Sequence, residues 1–153
     1  MTVDEIIAAE DVLVGLRAPA KGALLDALAT RAAARLGLGA AAILAPLVRR
    51  EDLGSTGVGE GVALPHARLE GVTRPFGLLA RLRDPVDYDA VDDRPVDVVC
   101  LLLLPAGDES RNLNALACVA RRLRDPETAA ALRGARDAAA LHAIIGGRAL
   151  SRA

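Results

Sequence analysis

The run Val96-Asp97-Val98-Val99-Cys100-Leu101-Leu102-Leu103-Leu104 constrains the fold more than any other stretch of the chain. From Val98 onward it is apolar at every position, so a strand built from it has no face to show to water. It is far too short to span a bilayer, which takes about 20 apolar residues. Such a strand belongs inside a sheet that is covered on both sides.

Helical patterns elsewhere in the sequence can supply the cover. Ala20 to Leu36 carries Leu24, Leu25, Leu28, Ala32 and Leu36 on one stripe, and Gly37 and Gly39 end it. Ala40 to Arg50 repeats the pattern with Ile43, Leu44, Leu47 and Val48. Glu109 to Leu123 is expected to turn Leu113, Leu116, Ala117, Ala120 and Leu123 inward. Shorter helices are expected at Val3 to Ala8, Glu127 to Arg133 and Asp137 to Ile145. Strands are expected at Val12 to Leu16, Gly61 to Leu64 and Phe76 to Leu82, besides the buried run. Helices and strands interleave, and the pattern holds no repeat and no linker. The expected class is α/β: one domain, 1–153, with a mixed, mostly parallel sheet flanked by helices on both faces. The tail, 146–153, is expected to fray.

Composition closes off several kinds of function. Basic and acidic residues nearly cancel, 19 against 20, which argues against a broad nucleic-acid surface. One Phe, one Tyr and no Trp leave no stacking platform for single strands. The acidic start, MTVDEIIAAED, lacks a signal pattern, and no segment reads as a membrane span; the expected location is the cytosol. Cys100 and Cys118 lie far apart in apolar surroundings and read as two buried thiols. A zinc site from two Cys and two His is conceivable, but the spacing fits no ligand pattern. No metal and no cofactor are assigned.

The chemistry concentrates in one place. Leu53 to Gly61 reads LGSTGVGEG, too rich in glycine for a helix. No Lys-Ser or Lys-Thr follows the last glycine, so it is no Walker loop, and it leads into a strand, so it is no dinucleotide fingerprint. Two readings stand: a tight loop whose glycines supply positive φ angles, or a phosphate cradle. His66 follows Leu64-Pro65 directly after this loop, at the end of a short apolar strand. Again two readings stand, a core histidine or a presented nucleophile. Imidazole is nucleophilic near neutral pH, and a phosphoryl group taken by it needs mainly positioning and donors for three oxygens. Loop amides such as that of Gly57, the hydroxyls of Ser55 and Thr56, and the guanidinium of Arg50 or Arg68 could supply those donors. His142, the other histidine, reads as a surface or packing residue.

The run Arg50-Glu51 … Gly54-Ser55-Thr56-Gly57-Val58-Gly59 … Gly61-Val62-Ala63-Leu64-Pro65-His66-Ala67-Arg68 closely resembles the signature of phosphotransferase-system IIA domains of the fructose/mannitol type. Pro85 to Asp92 and Pro95 to Val99 resemble the family's next strands. The resemblance implies that His66 accepts phosphate from an HPr-like phosphocarrier protein. Within the family, the free-standing length and the wording GVGEGVALPHAR then RPFGLLARL look most like the nitrogen-regulatory IIA proteins. That implies regulatory target proteins, in nitrogen, carbon or potassium control, and not chiefly sugar uptake. One position departs from the family pattern. Asn112, in Arg111-Asn112-Leu113, stands where a second histidine is expected beside the first. Asparagine can donate hydrogen bonds but cannot carry charge or relay a proton. It is expected within hydrogen-bond reach of the His66 ring or its phosphate.

Three functions remain open on the sequence. One is a phosphoryl carrier acting on His66. Another is a transfer-impaired binding module that docks a kinase or an ion-channel subunit. The third is the IIA component of a fructose/mannitol-type transport system.

Overall fold

A computed structural model describes residues 1–147. Most of the tail expected to fray, from residue 148 on, lies outside the described residues. The elements run α1 (Val3–Ile6), a 3-10 turn (Ala9–Asp11), β1 (Val12–Leu16), α2 (Lys21–Leu36), α3 (Ala40–Leu53), β2 (Gly57–Gly59), β3 (Val62–Ala63), β4 (His66–Leu69), β5 (Phe76–Val86), β6 (Val96–Pro105), α4 (Glu109–Arg124), α5 (Pro126–Gly134) and α6 (Ala138–Ile145).

The apolar run forms β6, and it sits inside the sheet as its sequence requires. The strand order is β1-β5-β6-β3-β2, with β4 also on β6. β1 lies parallel to β5, and β3 and β4 lie parallel to β6, while β5 is antiparallel to β6. Val99, Leu101 and Leu103 of β6 pack with Leu24, Leu28, Ile43 and Leu47 of α2 and α3. Val98, Cys100, Leu102 and Leu104 pack on the other face with residues of α1, α4, α5 and α6, among them Ile6, Val119, Leu132 and Leu141. Leu101, Leu102 and Leu103 are fully buried, each contributing about 2 kcal/mol of transfer free energy. Among the described residues no helix is long and apolar enough to cross a membrane.

Two departures from the sequence expectation shape the site. First, His66 does not end a strand; it begins β4. The edge beside β6 is broken at Leu64-Pro65, between β3 at Val98–Val99 and β4 at Leu102–Pro105. Proline suits the break because it has no N–H to leave unpaired. Leu64 N turns away to the Thr56 carbonyl, and Leu102 N closes the gap onto the Pro65 carbonyl, both at 2.9 Å.

Second, α4 is turned from the expected orientation. Its buried residues are Asn112, Ala115, Val119 and Leu123, while Leu113 is 67% exposed. The helix carries two adjoining apolar stripes, and the one with smaller side chains lies against the sheet, where axes can approach closely. Of the stripe expected inside, Leu123 is buried and Leu116 and Ala120 are half-buried against the core, while Leu113 and Ala117 are exposed. Leu113, Leu116, Ala117 and Ala120 border a surface cleft.

Candidate functional site

His66 opposes Leu102 in the β4–β6 register, so its ring points to the α4 side of the sheet. Nδ1 lies 2.9 Å from the Leu64 carbonyl. A carbonyl only accepts, so Nδ1 carries the hydrogen and Nε2 keeps its lone pair. The half-buried ring has its pKa held below the ordinary value, chiefly by burial. The Leu64 bond works the other way, Arg50 lowers it further, Glu51 raises it and Arg68 lowers it. The net effect keeps the imidazole neutral at pH 7, the form in which Nε2 is a nucleophile.

The cleft at this ring has a volume of 320 Å³ and is lined by His66, Arg50, Ser55 and Thr56, with Val58 and Leu64 beside them and Leu113, Leu116, Ala117 and Ala120 of α4 opposite. Arg50 comes from the last turn of α3, where its Nη1 donates to the Gly54 carbonyl at 2.8 Å. That bond fixes the guanidinium at the mouth of the glycine loop.

The loop itself is tied down by a buried carboxylate. Glu51 accepts from the Thr56 amide at 3.2 and 3.3 Å, from the Thr56 hydroxyl, and from the Tyr88 hydroxyl at 3.1 Å. Lys21 Nζ pairs with the same carboxylate at 2.8 Å and sits 4.5 Å from the centre of the Tyr88 ring. Burial, above all, pushes the Tyr88 phenol up, which keeps it a donor. A Cβ on Gly57 would lie 2.7 Å from Ala90 Cβ, so only glycine lets the loop approach this closely. Gly61, at φ 78°, makes the turn into β3 that the tight-loop reading expected.

These contacts correct part of the expected phosphate cradle. The Thr56 hydroxyl is directed at Glu51 and Tyr88, in the interior. Ser55 Oγ donates to the Tyr88 carbonyl at 3.1 Å and accepts from the Gly57 amide at 3.0 Å. In this state all three groups hold the loop together, although Ser55 and Thr56 still border the cleft. Arg68 is exposed and pairs with Glu109 at 2.8 Å, outside the cleft lining.

Asn112, expected within reach of the His66 ring or its phosphate, makes no hydrogen bond to the ring. It is 3% exposed, and its Nδ2 donates to the Pro105 carbonyl at 2.8 Å. Its Oδ1 is buried without a hydrogen-bond partner among the described residues. The asparagine faces the sheet because it lies on the buried stripe of α4, one residue before the stripe that faces the cleft. His142 bonds the Ile7 carbonyl at 2.9 Å, tying α6 to the end of α1. Of the two thiols expected to be buried, Cys100 is, and burial pushes its pKa up to about 12, while Cys118 is only half-buried.

Four residues of the site carry no role from sequence reasoning: Glu51 itself, Lys21 and Tyr88, which hold it, and Arg124, which lines the cleft. A signal existed for Tyr88. It is the only tyrosine in a chain almost without aromatics, and it stands between two aspartates, so its ring had to find apolar cover.

Comparison with known proteins adds independent support. The sequence matches the family described as "Phosphoenolpyruvate-dependent sugar phosphotransferase system, EIIA 2" over residues 5–147. It is 42% identical over 145 residues to a nitrogen regulatory protein of Bradyrhizobium diazoefficiens, covering 95% of each chain. It is 38% identical over 122 residues to a nitrogen regulatory protein of Escherichia coli, covering 79% of this chain and 75% of that one. A fructose-specific EIIA component of Haloferax volcanii is 37% identical over 82 residues, 54% of this chain and 53% of that one. The solved structure of nitrogen regulatory protein IIA-Ntr from Neisseria meningitidis superposes with a TM-score of 0.88 at 30% identity, covering 94% of this chain and 98% of that one. With the fold, the glycine loop and the sequence in agreement, the chain belongs to the EIIA 2 family of the phosphoenolpyruvate-dependent sugar phosphotransferase system.

Proposed function

We propose that this protein is a regulatory phosphoryl carrier that takes a phosphoryl group onto Nε2 of His66. The observation that carries the reading is the bond from Nδ1 to the Leu64 carbonyl, which leaves Nε2 unprotonated beside the Arg50 cation. The donor is the phosphohistidine of an HPr-like phosphocarrier. In the transfer the Nε2 lone pair attacks phosphorus, the N–P bond of the donor breaks, and its electron pair returns to the donor imidazole. The positive charge that develops on the His66 ring is stabilised by the Leu64 carbonyl. Arg50 is placed to meet the phosphoryl oxygens, and Ser55, Thr56 and the Gly57 amide can add donors only if the loop exchanges its own bonds for them. The step requires no metal and no cofactor. Relatives named as nitrogen regulatory proteins favour a cytosolic regulatory output through target proteins over sugar uptake, although the match to a fructose-specific EIIA component keeps transport as the alternative.

A second reading has its own observation. Asn112 stands in place of the family's second histidine and bonds the backbone, not the ring. On that reading transfer is weak and the fold serves to dock partners. One experiment separates the two. The protein is mixed with a phosphorylated HPr-type donor, and the label is mapped by mass spectrometry. A stoichiometric, acid-labile and alkali-stable adduct on His66, absent in His66→Ala, supports the carrier. Label kept in His66→Ala or found on His142 defeats it, and no label at all leaves the docking module.

A further inference from the structure

The connection from β5 to β6 lies as a strap across the glycine loop. Ser55 Oγ donates to the Tyr88 carbonyl at 3.1 Å. The Tyr88 hydroxyl reaches Thr56 and Glu51. Ala90 packs on Gly57, and the Val91 amide lies 3.4 Å from the Gly57 carbonyl. Asp92 Oδ2 accepts from the Glu60 amide at 2.9 Å, and Arg94 pairs with Glu60 at 2.7 Å. Among the described residues, the non-glycine residues with positive φ are Glu60, Asp89 and Asp93, and all lie in these two facing segments. Such residues persist where their surroundings over-determine them, and they cluster at segments that switch.

The bond from Ser55 is the one tether that a group on His66 can contest. Ser55 borders the His66 cleft, and its hydroxyl has a single proton to give. Among the described residues no other group bonds the Tyr88 carbonyl. A hydrogen bond to an anionic oxygen is roughly twice as strong as one to a neutral carbonyl. The Thr56 hydroxyl is in a different position, because its acceptor is already a carboxylate, Glu51. The Gly57 amide donates to Ser55 Oγ at 3.0 Å, so it loses its acceptor when that oxygen turns away. Two anchors do not depend on Ser55: the Tyr88 hydroxyl on Glu51, and Asp92 on the Glu60 amide. Asp89, Ala90 and Val91 lie between them. Val91 is 77% exposed and is not part of the lining of the His66 cleft.

We propose that Ser55 is a relay: it exchanges the Tyr88 carbonyl for a phosphoryl oxygen when His66 is phosphorylated, and the released segment Asp89 to Val91 carries the phosphorylation state to a surface outside the cleft. The inference rests on His66 being the acceptor. In the unmodified chain the strap holds the hydroxyl, and in the modified chain the phosphoryl group does. Loss of the phosphoryl group restores the first arrangement. By linkage, anything that fixes the strap on Ser55 disfavours the phosphorylated state by the same factor.

The test is amide hydrogen exchange, followed by NMR on the full chain before and after labelling with a phosphorylated HPr-type carrier. Mass spectrometry first measures the occupancy of His66. The probes are the amides of Val91, which faces the Gly57 carbonyl, and Asp93, which donates to the Ala90 carbonyl at 2.9 Å. Labelling is expected to speed exchange at both about tenfold, as a locally opened segment does. The Cys100 amide, in the buried middle of β6, reports the fold and is expected to keep its rate. Ser55→Ala is expected to show the fast rates before labelling and no further rise after it. Ser55→Thr keeps a hydroxyl and is expected to keep the response to labelling. The proposal is overturned by unchanged Val91 and Asp93 rates in the labelled parent, or by a Ser55→Ala chain that responds to labelling as the parent does. If mass spectrometry finds no label on His66 in the parent, the acceptor reading itself has failed and the relay falls with it.

Discussion

Nδ1 of His66 donates to the carbonyl of Leu64, two residues earlier in the chain, at 2.9 Å. The break at Pro65 makes this possible. It lifts the Leu64 amide off the β6 edge and onto Thr56, and it leaves the Leu64 carbonyl free to turn under the ring. One backbone irregularity thus sets the tautomer of His66.

The first prediction concerns pH. Burial holds the His66 pKa below its ordinary 6.5. Between the folded-state pKa and 6.5 the unfolded chain binds more protons than the folded one. Stability from this group is therefore complete above 6.5 and is lost as pH falls through the folded-state value. Nitrogen-detected NMR should find a midpoint below 6.5 and the Nδ1–H tautomer at pH 7. Phosphoryl transfer should keep its rate as pH drops to 6.5 and fall only below it. A midpoint above 6.5, or an Nε2–H tautomer, contradicts the assigned hydrogen bond.

Removing the cation at the loop mouth should hurt chemistry more than stability. Arg50→Ala loses one partly exposed bond to the Gly54 carbonyl, a cost of about 1 kcal/mol or less. Loss of a charged donor next to transferring phosphate is expected to slow labelling about a hundredfold. Urea unfolding and quench-flow labelling measure the two effects. Equal transfer in the variant would remove Arg50 from the site.

Glu51 should matter for the opposite reason. Its carboxylate gathers Thr56, Tyr88 and Lys21 around one buried point. Glu51→Gln keeps the shape and removes the charge, so Lys21 loses its partner and at least one donor is left short. Destabilisation of about 2 kcal/mol is expected, with slower transfer because the loop bearing Ser55 and Thr56 loosens. Tyr88→Phe removes one bond and should cost about 1 kcal/mol. A Glu51→Gln protein as stable as the parent would show that the network is ornamental.

The sheet and its two covering layers were legible because β6 is apolar on both faces and the helices carry clear stripes. Val12–Leu16 is a strand with the bounds its alternation suggests. The site was legible as a place, since the glycine loop, Pro65 and His66 are contiguous in sequence. Less was legible where the outcome depends on which of two surfaces is covered. The rotation of α4 could not be read from a helix with two adjoining apolar stripes, and it decides that Leu113 faces the cleft while Asn112 faces the sheet. The fate of Thr56 could not be read either, because its hydroxyl is claimed by Tyr88, 32 positions away.

The last prediction concerns Asn112. Asn112 Nδ2 holds the Pro105 carbonyl, and Pro105 ends β6 opposite Leu69 of β4, the strand that begins with His66. The asparagine therefore pins the start of α4 to the strand pair that carries His66. Asn112→Ala removes that pin and leaves a buried carbonyl unpaired, which should cost about 1–2 kcal/mol. Asn112→Asp is expected to do worse, because an ionised carboxylate cannot donate to Pro105 and would be buried without a partner. Histidine is a different case. Its Nδ1–H lies about as far from the backbone as the asparagine Nδ2, so it can keep the bond to Pro105 while adding a second ring nitrogen beyond it. The Asn112→His protein should remain folded, label about tenfold faster, equivalent to about 1.4 kcal/mol of barrier, and show a second ionisation in its pH–rate profile. Both readouts are needed. A variant that is equally stable and no faster, with a single ionisation, would mean that position 112 serves only to hold α4 and has no bearing on transfer.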